Sequence, residues 1–181
     1  MTDSTEAPRP ATPEGLFARL EALGIETTTT RHAPVFTVAE SQDLRGALPG
    51  AHCKSLFLRD RKGQAFLVVC LEDRRLDMKA LARLLGAGRL SFGSPERLRA
   101  ALGVEPGSVT PFAAFNADAE TRAALRVVLD AGMMAAGVAN FHPLVNTATT
   151  AIRPADLLRF LEDCGVGAEV ADLEPATRPP E

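Results

Sequence analysis

Residues 53 to 72 read CKSLFLRD-RKG-QAFLVVCLE, two apolar runs joined by a short polar turn. Side chains along a strand alternate between faces, and here both faces of both runs are apolar. This predicts a hairpin with its turn at Lys62-Gly63, lying centrally in a sheet rather than at its edge. Lys54 departs from the pattern. It shares a face with His52, Leu56 and Leu58, while Cys53, Ser55 and Phe57 take the other. An ammonium is costly to bury unless something pairs with it, and no acid follows in sequence before Asp60. Two readings stand: a lysine snorkelling from a strand end, or a cation at a pocket mouth, positioned for a phosphate or a polarised carbonyl.

The remaining segments mix helices with strands without strict alternation. TPEGLFARLEALG predicts a helix with Thr12 as N-cap and Gly24 as stop. ETTTTRH reads as a strand, and Thr37 with Glu40 makes a capping box for a short helix ending near Gly46. DMKALARLLG and SPERLRAALG are capped by Asp77 and Ser94. RLSF suggests a brief strand between them, and VEPGSVTPFAAF a loop running into a strand. In TRAALRVVLD a helical pattern gives way to a strand at LRVVLD. ANFHPLVNTATTAI reads as strand, proline-containing turn and strand; PADLLRFLEDCG as an amphipathic helix; AEVADL as a last strand. The expected class is α+β, built on a largely mixed sheet.

At 181 residues and 46% hydrophobic, the chain suits one domain with a sizeable core. Residues 1–11 read as a disordered tail, 12–172 as the domain and 173–181 as a flexible end. Trp and Tyr are absent, which argues against a single-strand binder built on aromatic platforms. Charge is uneven. Lys54 to Arg99 carries eleven Lys or Arg against five acids, a local +6 in a chain of net −3. Either one face meets an anion or these are ordinary solvated helix charges. Three distant cysteines without a C-x-x-C, a start lacking a basic and apolar leader, and no long apolar run lead us to expect a cytoplasmic protein with buried thiols and no membrane contact.

Metal is not expected. The one close ligand pair, His52-Cys53, points to opposite faces of a strand. No G-x-S-x-G elbow occurs, and GAGRLSFG does not sit between a strand and a helix as a phosphate cradle would. Besides Lys54, two places could carry chemistry. In GSVTP, Gly107 to Pro111, prolines bracket a glycine and leave backbone amides free; it is either an ordinary loop or a rigid donor wall for a small ester. In NFHPLVNTATT, Asn140, His142, Asn146 and Thr147 crowd polar groups beside apolar strands. They serve either the turn itself or a small neutral ligand.

Taken in order, HAPVFTVAES, GAHCKSLFLRD, FLVVCLEDRRLDMKAL, GSVTPFAAFN, VVLDAG and NFHPLVNTATTAI resemble the YbaK/prolyl-tRNA-synthetase-associated editing superfamily. The likeness runs from about His32 to about Leu161, and its wording is most similar to the free-standing alanyl-tRNA(Pro) deacylases. The resemblance implies a mixed, partly barrel-like sheet surrounded by helices. It implies a metal-free, cofactor-free hydrolase acting in trans on the ester between a wrong amino acid and the 3′ end of tRNA(Pro). It makes Lys54, Gly107, His142 and Asn146 the catalytic candidates. Ser108, Val109, Thr110, Pro111, Asn140 and Thr147 become the substrate-binding candidates. The basic segment supplies Arg74, Arg75, Lys79 and Arg83 as candidate acceptor-stem contacts, and prolyl-tRNA synthetase is an implied partner. The rivals are a cysteinyl- or seryl-tRNA deacylase, a non-catalytic nucleic-acid-binding module, and a regulatory domain acting on a synthetase.

Overall fold

Helices begin where a side chain can take up the free amides of the first turn. Thr12, Asp77, Ser94 and Asp118 do so for α1 (Pro13–Ala22), α2 (Met78–Leu84), α3 (Pro95–Leu102) and α4 (Ala119–Ala124). The computed structural model of the chain describes residues 10–34, 43 and 46–179. The expected helix from Thr37 towards Gly46 lies almost wholly outside them, as do residues 1–9 of the expected tail.

The strands are β1 (Thr27–Arg31), β2 (Ala51–Arg59), β3 (Ala65–Leu71), β4 (Ser91–Phe92), β5 (Leu125–Asp130), β6 (Ala139–Phe141), β7 (Ala148–Ile152) and β8 (Ala168–Ala171). They form one mixed sheet in the order β1-β7-β6-β2-β3-β5-β8, with β4 attached to β2. The β2–β3 hairpin sits at its centre, as the two-sided apolar pattern requires, and Asp60 accepts the Lys62 and Gln64 amides to close its turn. A one-turn helix, α5 (Ala131–Met134), follows β5 where Asp130 caps Gly132, and α6 (Pro154–Asp163) follows β7.

Each face carries its own core. On one, Leu16 and Leu20 of α1, Leu98 and Leu102 of α3, and Leu157 and Phe160 of α6 pack on Phe57, Leu67, Val69, Val127 and Leu129. On the other, Leu81 and Leu85 cover Leu58, Phe66, Val68, Cys70 and Val128. Among the described residues no helix is long and apolar enough to cross a membrane.

Two differences from the sequence-based expectations have physical causes. PFAAF is not a strand: Pro111–Asn116 is a 3-10 helix, because Thr110 caps the Phe112 amide and Pro111 is preset for a first turn. Its Phe112 packs edge-on against Phe141 and Phe160, with ring centroids 6.0 and 5.6 Å apart. The end from residue 173, expected as a flexible segment, packs onto the domain as far as Thr177. Leu173 and Ala176 are fully buried in the second core, and Thr177 pairs with Leu76. Proline there shapes a second 3-10 turn, Glu174–Ala176, instead of keeping the chain open. We therefore expect Leu173→Ala to lower the unfolding free energy by about 2–5 kcal/mol in equilibrium urea denaturation. An unpacked tail would show no change.

Candidate active site

Among the described residues, the two edges of β2 at the centre of the sheet are paired unequally. One edge of β2 is matched by β3 from Cys53 to Arg59. The other edge meets β6 only through Ala51 and His52, and β4 only through Leu58 and Arg59. Among the described residues no strand covers Cys53 to Leu56 on that edge, and the Gly93 amide donates to the Phe57 carbonyl at 2.9 Å. Among the described strands this leaves a slot, with Lys54 on β2 to one side and the turn that leaves β6 at His142 to the other.

Register shows which side chains share the face on which Lys54 lies. His52, Asn140, Ala151 and Thr28 form one rung across β2, β6, β7 and β1, and Thr149 with Thr30 belongs to a neighbouring one. This half of the face is polar, whereas the half under α2 is apolar. Asn140 is buried, and its amide donates to the carbonyls of Pro49 (3.0 Å) and Ala51 (3.2 Å), tying the approach to β2 onto β6. His142 Nδ1 lies 2.9 Å from the Ala148 carbonyl. A carbonyl only accepts, so Nδ1 is the donor, and the tautomer this selects presents Nε2 as an acceptor. The His32 ring is 6.2 Å away, oriented by the Ala33 carbonyl and by the Thr149 hydroxyl at 2.8 Å. Leu144 adopts φ 68°, the one non-glycine residue with positive φ among those described. Burying its side chain in the first core offsets that strain and fixes the turn. Asn146 is half-buried in that turn and Thr147 exposed.

The 107–111 loop rests against the first core. Gly107 takes φ 90°, a conformation that side chains disfavour, with open space where a Cβ would be. Ser108, Thr110 and Pro111 are buried and Val109 partly so. The expectation of free amides throughout this loop needs one correction: the Ser108 amide donates to the Glu105 carbonyl at 3.0 Å, closing a turn. Through the Phe112–Phe141 contact the loop is braced on the residue immediately before His142. The structure thus links this loop to the His142 turn. It does not bring Lys54 into contact with either: the Lys54 ammonium donates to the backbone carbonyl of Arg74.

The four basic candidates divide. Arg75, Lys79 and Arg83 lie towards solvent, the latter two on the outer face of α2 beside the exposed Leu84. Arg74 is 12% exposed and paired with Asp130 and Glu174. Reading the sequence missed Asp130, and missed His32 and Thr149 as individual site residues. Asp130 ends the apolar strand LRVVLD and Thr149 lies within ATTAI, while His32 follows the polar strand TTTTR and gives no such local signal. A cavity of about 820 Å³ between α1 and the β1–β7 edge, lined by residues such as Phe17, Glu21, Thr27 and Arg153, contains none of these candidates.

Lys54, the carbonyl-oriented His142 and the polar rungs of β6, β7 and β1 thus lie on one face of a mixed sheet. The model of the aminoacyl-tRNA editing domain family matches residues 32–160, and the chain belongs to that family. It is 42% identical over 146 residues to the Danio rerio prolyl-tRNA synthetase associated domain-containing protein 1, covering 80% of this chain and 78% of the relative. It is 33% identical over 153 residues to the prolyl-tRNA editing protein ProX of Acetoanaerobium sticklandii, covering 84% and 92%. Among solved structures, a proposed trans-editing enzyme for prolyl-tRNA synthetase superposes with TM-score 0.67 at 26% identity, covering 88% of this chain and 94% of its own.

Cysteine chemistry at the slot is disfavoured. Burial pushes the Cys53 thiol up to about 12, Cys70 to about 11 and Cys164 to about 12. A raised thiol pKa leaves almost no thiolate at neutral pH, and reactivity follows the thiolate. At pH 8 the native thiols should alkylate far more slowly than free cysteine, with rates rising towards pH 11; rapid labelling of Cys53 at pH 8 would contradict this.

Proposed function

We propose that this protein is a trans-acting aminoacyl-tRNA deacylase that hydrolyses Ala-tRNA(Pro). The observation carrying the reading is the slot in the sheet, bordered by Lys54 and by the His142 turn, in a chain of the editing family. A relative that bears the name prolyl-tRNA editing protein supports the choice of tRNA.

A synthetase pocket shaped for proline cannot strongly reject alanine, because missing methylenes are worth only about 1–3 kcal/mol each. A second, smaller sieve removes the error. In the proposed mechanism Lys54 holds the phosphate or carbonyl end of the aminoacyl-adenosine. Backbone amides of the loop that begins at Gly107 face the ester oxygen that gains charge. His142, with Nε2 available, and Asn146 position the attacking water, and the neighbouring ribose 2′-hydroxyl assists in activating it. This chemistry calls on no metal. Arg75, Lys79 and Arg83 meet acceptor-stem phosphates on the face that α2 covers.

Purified protein should release alanine from Ala-tRNA(Pro) and spare Pro-tRNA(Pro), with the same rate in chelator. Comparing Ala-, Cys- and Ser-tRNA(Pro) in parallel decides the amino acid, and tight binding without turnover would favour a non-catalytic module. Lys54→Ala should reduce kcat/KM by about a hundredfold with the fold intact, through the loss of one oriented charge. In binding titrations Lys79→Ala and Arg83→Ala should each reduce the slope of log affinity against log salt by about 1. A slope unchanged in both variants rules out the α2 face as the tRNA contact.

A further inference from the structure

Lys54 pairs in register with Cys70, and one step beyond the Val69–Leu129 pair Cys70 runs beside Asp130. The three side chains make a rung on one face of β2, β3 and β5. Asp130 is fully buried, where a carboxylate persists only with strong partners. It accepts from Arg74 Nε at 2.5 Å, from the Gly132 amide at 3.1 Å and from the Leu71 amide at 3.4 Å. Gly132 leaves room for this approach, since a Cβ there would stand 2.6 Å from Arg74 Nη2. Arg74 also pairs with Glu174 in the C-terminal 3-10 turn, and these partners hold its guanidinium charged.

The backbone around Arg74 is tied down as well. The Arg74 amide donates to the Leu71 carbonyl (3.2 Å), the Asp77 amide to Ala176 (2.8 Å) and the Arg178 amide to Arg75 (2.8 Å). The carbonyl of Arg74 is consequently a fixed acceptor, and it is the one that receives the Lys54 ammonium. Lysine has a flexible stem and three donors. With one donor committed to a fixed carbonyl, the other two are aimed.

We propose that Arg74, locked between buried Asp130 and Glu174, is a positioning residue that orients the Lys54 ammonium for substrate. This assigns Arg74 a role different from that of the basic residues on α2: it acts through Lys54 instead of contacting tRNA. The proposal rests on Lys54 holding the substrate, as the proposed function requires.

The test combines a substrate-independent signal with a double-mutant cycle. In wild-type protein the Lys54 ammonium should give a resolved, slowly exchanging ¹H–¹⁵N cross-peak, assigned by its loss in Lys54→Ala. In Arg74→Lys, which keeps a charge beside Asp130 but loses the guanidinium fork, that peak should broaden away. The same variant should lower kcat on Ala-tRNA(Pro) by about tenfold to a hundredfold with KM little changed. It should cost nothing further when Lys54 is already alanine. A persistent peak with wild-type kcat, or losses that multiply across the two sites, overturns the proposal. If wild-type protein does not cleave Ala-tRNA(Pro), the functional reading fails separately, and the ammonium peak alone decides: its loss in Arg74→Lys supports the positioning role and its persistence refutes it. Should Arg74→Lys fail to fold, Glu174→Gln, which cuts the exposed arm of the clamp, takes its place: a broadened peak and lowered kcat support the role, and an unchanged pair refutes it.

Discussion

Strand β2 is shared. Along one edge it is zipped to β3 over seven residue pairs, and along the other it is divided between β6 at its start and β4 at its end. A strand paired along most of one edge is stable enough to leave part of the second edge without a strand partner among the described residues. That stretch, on which Lys54 stands, lies in the middle of the sheet rather than at its rim. Both cores hold β2, because Phe57 faces one and Leu58 the other.

The position of Lys54 follows from the same strand. Running from Leu58 back to His52, one face passes from the apolar layer under α2 into the polar rungs of β6, β7 and β1. Lys54 stands at that boundary. Its stem lies along an apolar strand and its head reaches a backbone carbonyl, so the desolvation that made it conspicuous in the sequence is met by hydrogen bonding. The carbonyl comes from a turn held by a buried Asp130–Arg74 pair and by the C-terminal segment. A residue far along the chain, Glu174, thereby bears on the centre of the sheet.

Much of this was legible from residues alone. The helix caps at Thr12, Asp77 and Ser94 act locally, within a turn, and so can be read from a few neighbouring letters. The central hairpin was legible because two-sided apolar strands have few other places to go. The Thr110–Pro111 helix start was misread because FAAF fits a strand and a short helix equally well; packing against Phe141 and Phe160 accompanies the helical outcome. At the C-terminus proline-rich composition suggests an open chain, while one leucine and one alanine, Leu173 and Ala176, dock it on the second core. Asp130 was passed over because, in LRVVLD, an acid at a strand end looks like the beginning of a turn.

The sequence by itself determined the class of fold, the centrality of β2 and β3, and the anomaly of a lysine within them, since these follow from period-two patterning and from caps that act over three or four residues. Only the tertiary structure decided where the Lys54 ammonium goes, that Arg74 is withdrawn from the basic surface, and that His142 presents Nε2. The first two depend on partners distant in sequence: Arg74 is twenty residues from Lys54 and fifty-six from Asp130. The third depends on how the chain closes from β6 to β7, which brings the Ala148 carbonyl to the ring. Local patterning carries no record of such pairings; they are set when strands from separate parts of the chain come into register.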